Sequence, residues 1–162
     1  MFSAPVVVAV CLTCYGLALL LPAVSLFAPH TASSGIPGWM AFWFGLCAFV
    51  VPAPVDLERV LVMVNWLANP AIWVGLVSAW WGWWRSAAGC GVAGVLLSLA
   101  VLLLPRYRDG LVGQPGYWLW VATAALLCVG SCLLVRSKRE RAAVSPEQTA
   151  FRDLGSHLGT RR

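Results

Sequence analysis

Residues 65–84 read NWLANPAIWVGLVSAWWGWW, twenty residues with six tryptophans and no charged side chain. A helix needs about 20 apolar residues to cross a hydrocarbon core of about 30 Å, so this stretch predicts a membrane span. Trp66, Trp73 and Trp80 recur every seven residues and share one helical face. Trp80, Trp81, Trp83 and Trp84 crowd the end, directly before Arg85, as in an aromatic belt at the membrane–water interface. Asn65 and Asn69 are one turn apart and Pro70 follows. Proline lacks the N–H that would bond the carbonyl of Trp66. Nearby polar side chains repair such a break in the structural reading. In the functional reading the break lines a substrate site.

Similar stretches flank this one. Val6–Phe27 predicts a first span, kinked at Pro22, and Gly38–Val51 a short second one. Val60–Trp84 is the third, Ala87–Leu104 the fourth and Tyr117–Val135 the last. Pro29–Pro37 and Pro105–Pro115 read as polar loops, the first with His30 and the second with Arg106, Arg108 and Asp109. The fold class expected is all-α: an integral membrane helix bundle of four to five transmembrane helices with short loops. The number turns on Gly38–Val51, whose 14 residues rise about 21 Å, short of the core. The expected arrangement has it cross, giving five spans with the C-terminus in the cytoplasm. If it dips in and returns, there are four, and the N-terminus shares a side with the C-terminus. Small residues at four-residue spacing predict close helix seams: Ser78 and Gly82; Cys90, Gly94 and Ser98; Ala124, Cys128 and Cys132.

Composition agrees with a lipid environment. Of 162 residues 60% are hydrophobic and 10% charged, against roughly a quarter charged in soluble domains. Seven of the eleven basic residues follow Val135, starting with Arg136, Lys138, Arg139 and Arg141. This cluster places the basic tail, residues 136–162, in the cytoplasm and makes those four residues candidate contacts for anionic lipid. Within the tail, Ser145-Pro146-Glu147-Gln148 reads as a helix start, with Phe151, Leu154 and Leu158 on one face. No recognisable nucleic-acid-binding fold accompanies the charge, so nucleic acid is not an expected partner.

The six cysteines all fall in apolar stretches, which is no secreted disulfide framework. Cys11 and Cys14 have the two-residue separation that thiol–disulfide exchange uses. Membrane oxidoreductases of that kind need a second pair in an outward loop, and no loop here has a cysteine. Packing is the preferred reading of the six. The expected spans hold no Asp, Glu, Lys, Arg or His in their cores, which speaks against a proton-coupled pump or carrier. No catalytic residue, metal ligand set or cofactor site is expected.

Gly38-Trp39-Met40-Ala41 with Gly45, Trp66-Leu67-Ala68-Asn69-Pro70, and Gly116-Tyr117-Trp118-Leu119-Trp120 together resemble a pattern in small uncharacterised bacterial multi-pass membrane proteins, over roughly residues 5–135. That resemblance implies a bacterial inner-membrane location and carries no activity. From the residues themselves, the leading expectation is a non-enzymatic membrane subunit or accessory factor that contacts another membrane protein or itself. A thiol oxidoreductase using Cys11 and Cys14 is the second reading. A passive carrier or channel for a small neutral solute, using Asn65, Asn69 and Pro70, is the third.

Overall fold

The computed structural model describes residues 3–25, 35–52, 54, 56–103 and 114–159. Most of them are helical. Helix α1 is Ala4–Leu20, α2 is Gly38–Val50, α3 is Leu57–Trp66, α4 is Ala68–Trp80 and α5 is Trp84–Ala100, tightening into a 3-10 turn over Val101–Leu103. The last, α6, runs unbroken over Pro115–Gly159. Strands β1, Pro22–Ser25, and β2, Gly35–Pro37, form a small antiparallel pair between α1 and α2. The expected loop residues His30, Arg106, Arg108 and Asp109 lie outside the described residues, as do the side chains of Arg141, Phe151, Leu154 and Leu158.

Three helical segments are long and apolar enough to cross a membrane: Leu57–Trp80, Trp84–Leu103 and Pro115–Glu140. Only 28% of each is buried within the chain. The outward surface is therefore apolar, with Leu96, Val129 and Val77 more than half exposed. Water is a poor solvent for such a face and lipid a good one.

Neighbouring helices run antiparallel, as the contacts between them require. Gly91 faces Cys128, Gly94 faces Ala124, and the Tyr117 hydroxyl donates to the Ser98 carbonyl at 2.7 Å, so α5 and α6 are opposed. Gly75 meets Ala87 and Cys90, and Ile72 meets Gly94, which opposes α4 to α5. Val7 lies on Gly130, Cys11 near Thr123 and Pro22 on Gly116, which opposes α1 to α6. One core cluster joins all four, from Val7, Cys11 and Tyr15 through Ile72 and Leu76 to Ala124 and Leu127.

The seam of α5 follows a heptad-like rhythm: Trp84, Ala87, Gly91, Gly94, Ser98 and Val101 are buried, at alternating steps of three and four. Several expected seam residues are there, including Ser78, Gly94, Ser98 and Ala124. Cys128 touches Gly91, but Cys132 is exposed on the lipid-facing side, because strict four-residue steps drift off a helical face. Gly82 is a turn residue with φ +81, outside the seam. The buried hydroxyls of Ser98 and Thr123 bond carbonyls one turn back on their own helices.

Four boundaries differ from the sequence-based expectation, one of them the turn after the third span: α4 ends at Trp80 and Trp84 already opens α5, against the expected Val60–Trp84 and Ala87–Leu104. Helix α1 stops at Leu20 and does not kink through Pro22 to Phe27. Leu21 is already extended, and Pro22 pairs with Pro37 across the strand pair. The third expected span starts earlier, at Leu57, where Asp56 caps the Arg59 N–H at 2.7 Å. The Arg59 guanidinium reaches back to the carbonyls of Ala48 and Val51, closing the last turn of α2. Finally, no new helix begins at Ser145. The run from Arg136 to Ala143 is rich in good helix formers, so α6 propagates through Pro146.

Candidate functional site

The joint between α3 and α4 is nearly seamless. Leu67 keeps helical dihedrals, φ −60 and ψ −15, and its N–H still donates to Met63. What Pro70 removes, Asn69 replaces: its Nδ2 donates to the Trp66 carbonyl at 3.1 Å. Its Oδ1 accepts from the Tyr15 hydroxyl at 2.7 Å, tying α4 to α1. Asn69 is buried and both ends of its amide are engaged. It is therefore a repair and a cross-link.

Asn65, one turn earlier, is placed differently. Its Oδ1 is shielded and has no hydrogen-bond partner among the described residues. It lines a partly open cavity of about 390 Å³ bounded by the end of α1, the strand pair, α2, α3, the start of α4, Val101 and the start of α6. That volume falls in the range of small-molecule sites and far exceeds the ~30 Å³ a water takes in liquid. Aromatic side chains dominate the wall: Phe42, Phe44, Trp66, Tyr117 and Trp120. Trp66 is held by an indole hydrogen bond to the Phe42 carbonyl at 3.0 Å and by ring contacts with Phe42 and Phe49. Trp120 brings a second shielded polar atom without a partner, its indole N–H.

Two shielded polar atoms without partners, the acceptor Asn65 Oδ1 and the donor Trp120 Nε1, therefore belong to residues of the wall. Among the described residues no Asp, Glu, Lys, Arg or His lines it. The Tyr117 hydroxyl is committed to Ser98. An uncharged ligand suits such a wall, because an isolated ion carries a heavy desolvation cost there.

All three motif stretches converge on this cavity. Gly38, Ala41 and Gly45 come from the first, Trp66 and Asn69 from the second, and Gly116, Tyr117 and Trp120 from the third. Two glycines make room for the approach. A side chain on Gly116 would stand 2.6 Å from the Pro22 carbonyl oxygen, and one on Gly45 would collide with the Trp66 ring. Asn65 and Asn69 stand out in the sequence. Trp120, Phe42 and Tyr15 do not, since partners brought from other helices leave no local spacing signal.

Cys11 and Cys14 make no comparable site. Cys11 is buried against α6, its Sγ 4.0 Å from the Thr123 carbonyl oxygen, while Cys14 is half-buried; both are free thiols. Among the described residues no group of His, Cys, Asp and Glu is arranged to hold a metal ion. Of the four basic residues picked out for lipid contact, Arg136 pairs with Glu140 at 2.9 Å, and Lys138 lies 5.6 Å from the centre of the Trp84 ring. The chain matches no family model, no curated protein and no solved structure.

Proposed function

We propose that this is a non-enzymatic integral membrane protein with four crossings that binds a small, uncharged, mostly apolar molecule in the cavity beside Asn65. The observation that carries the reading is the pairing of an aromatic wall with two shielded, unpartnered polar atoms of opposite kind, Asn65 Oδ1 and Trp120 Nε1. An amphiphile with one hydroxyl or carbonyl group suits both. The wall supplies burial and orientation, and no titrating group for proton transfer. The accessory-factor reading drew on the small-residue seams, but those of α5 and α6 pack within the chain and call for no partner.

The crossings are assigned from direction. Helix α1 rises about 26 Å over 17 residues and lies along α6 from Val7 to Pro22. Helix α2 starts where α1 ends, with the Gly38 N–H donating to Leu21. It finishes beside Arg59, near the start of α3. The chain therefore enters and leaves α2 at the same end of the bundle, so α2 adds no crossing. Both termini then share a side with Arg85, Lys138 and Arg139, which is the cytoplasmic side by the charge rule. A bacterial inner membrane is the setting the motif resemblance implies.

The test is photo-crosslinking of the detergent-solubilised chain with a diazirine-bearing long-chain alcohol. Label is expected on peptides holding Phe42, Trp66 or Trp120, competed by unlabelled alcohol and not by the matching carboxylate. Replacing Asn65 by Leu and Trp120 by Phe together should weaken labelling roughly five- to tenfold, from about 0.6 kcal/mol for each hydrogen bond in an apolar medium. Uncompeted label spread over lipid-facing Leu96 and Val129 would sink the proposal.

A further inference from the structure

At the opposite end of the bundle lies a second concavity of about 370 Å³, between the α4–α5 turn and the far part of α6. Gly82, Trp84 and Arg85 form one side, Lys138 and Arg139 the other. We propose that this cleft binds the phosphate of an anionic phospholipid headgroup.

Three independent features converge there. The first is the start of α5, a 17-residue helix with no side-chain cap. Its leading N–H groups lack intrahelical acceptors, and the helix dipole favours an anion at that end. The second is Trp84. Its side chain is only 6% exposed, yet its indole N–H has no hydrogen-bond partner among the described residues. The nitrogen lies 4.0 Å from where a side-chain carbon on Gly82 would stand, on the Gly82 side of the concavity, with no side chain at Gly82 between them. The third is charge. Arg85, Lys138 and Arg139 line the cleft, and among the described residues no acidic one does. The Lys138 ammonium now rests by the Trp84 ring, a short swing from a phosphate seated over the indole N–H.

The depth is right for a headgroup. Trp80, Trp81 and Trp83 are 60–70% exposed around the same turn, as interfacial tryptophans are. Arg136 does not line the cleft, and its exposed side chain pairs with Glu140 one turn away. The assignment is therefore narrower than a general attraction of a basic tail to a negative membrane. It uses two residues of the tail, Lys138 and Arg139, and adds Arg85, Trp84 and the α5 N-terminus.

The cleft rests on the reading that these helices cross a bilayer, but its test does not depend on which end faces the cytoplasm. The full chain in neutral detergent is titrated with phosphatidylglycerol or phosphatidylcholine and followed by native mass spectrometry. Phosphatidylglycerol is expected to bind about tenfold more tightly. Lys138→Gln with Arg139→Gln should erase that preference, Trp84→Phe should reduce it about threefold, and Arg136→Gln should leave it unchanged. Equal binding of the two lipids would overturn the proposal. So would an Arg136→Gln loss as large as that of the Lys138 and Arg139 pair, since charge alone would then explain the preference. Inorganic phosphate at 10 mM should not displace the lipid. Full displacement would make this a site for free phosphate and end the lipid assignment.

Discussion

Gly91→Leu is expected to prevent the bundle from assembling, while Gly89→Leu, two residues away, leaves it intact. A side-chain carbon on Gly91 would stand 2.6 Å from the backbone nitrogen of Cys128 and 2.8 Å from its Cα. Backbone cannot rotate aside as a side chain can, so α5 and α6 must separate. Overpacking a seam costs about 1–3 kcal/mol where side chains can give way. Here four heavy atoms meet a backbone that does not give, and association in lipid relies on such close packing. Gly89 has nothing within 4 Å and faces outward, where a leucine is as apolar as its lipid neighbours. Gly94→Leu should fall between them, since it meets the Ala124 side chain at 3.0 Å. Thermal unfolding in mild detergent ranks the three. Equal midpoints for the Gly91 and Gly89 variants would contradict the seam.

Asn69→Leu should cost about 2 kcal/mol, and Pro70→Ala in the same chain should return roughly a third of it. The substitution strands the Trp66 carbonyl and the Tyr15 hydroxyl in an apolar setting. An unsatisfied buried group costs ~1–3 kcal/mol in proteins generally, but hydrogen bonds between membrane helices average only about 0.6 kcal/mol. The lower figure governs each of the two losses, with packing adding the rest. Alanine at position 70 restores an N–H that can reach the Trp66 carbonyl, so the double variant isolates one of them. Asn65→Leu should be close to neutral, because its Oδ1 has no partner to strand. The readout is the unfolding midpoint of the four chains. An Asn65 variant weaker than the Asn69 variant would reverse the roles assigned to the pair.

Much of the architecture was legible because a span is a local property. Length and long uncharged runs mark the apolar parts of Leu57–Trp80, Trp84–Leu103 and Pro115–Glu140 without knowledge of their neighbours. The Pro70 break and the polar residue that repairs it lie side by side in the chain. The small-residue rows were readable too, apart from Gly82, which falls in a turn, and Cys132, where four-residue spacing departs from the 3.6-residue turn.

What escaped depends on contacts between distant residues. The end of α1 at Leu20 is set by pairing of Pro22 with Pro37 and Val24 with Ile36. Gly38–Val50 looks like a short span because its composition is apolar. Its ends are tied by contacts that no local spacing announces, Gly38 to Leu21 and Ala48 to Arg59. The cavity is assembled from three separate stretches, so only Asn65 and Asn69 announced it. Trp84 read as one member of an interfacial belt, and nothing in the spacing showed that its N–H would be buried beside Gly82.

The most direct measurement of the four-crossing arrangement is the side of the membrane on which Ser3 lies. In a chain with all six native cysteines replaced, Ser3→Cys and Pro54→Cys are labelled separately with a membrane-impermeant maleimide, using intact cells and then inverted vesicles. A reporter after Arg162 fixes the side of the C-terminus. The account predicts that Cys at position 3 is labelled only from the side of the C-terminus, and Cys at position 54 only from the opposite side. Labelling of both positions from the side opposite the C-terminus would show that α2 crosses, and would contradict the arrangement.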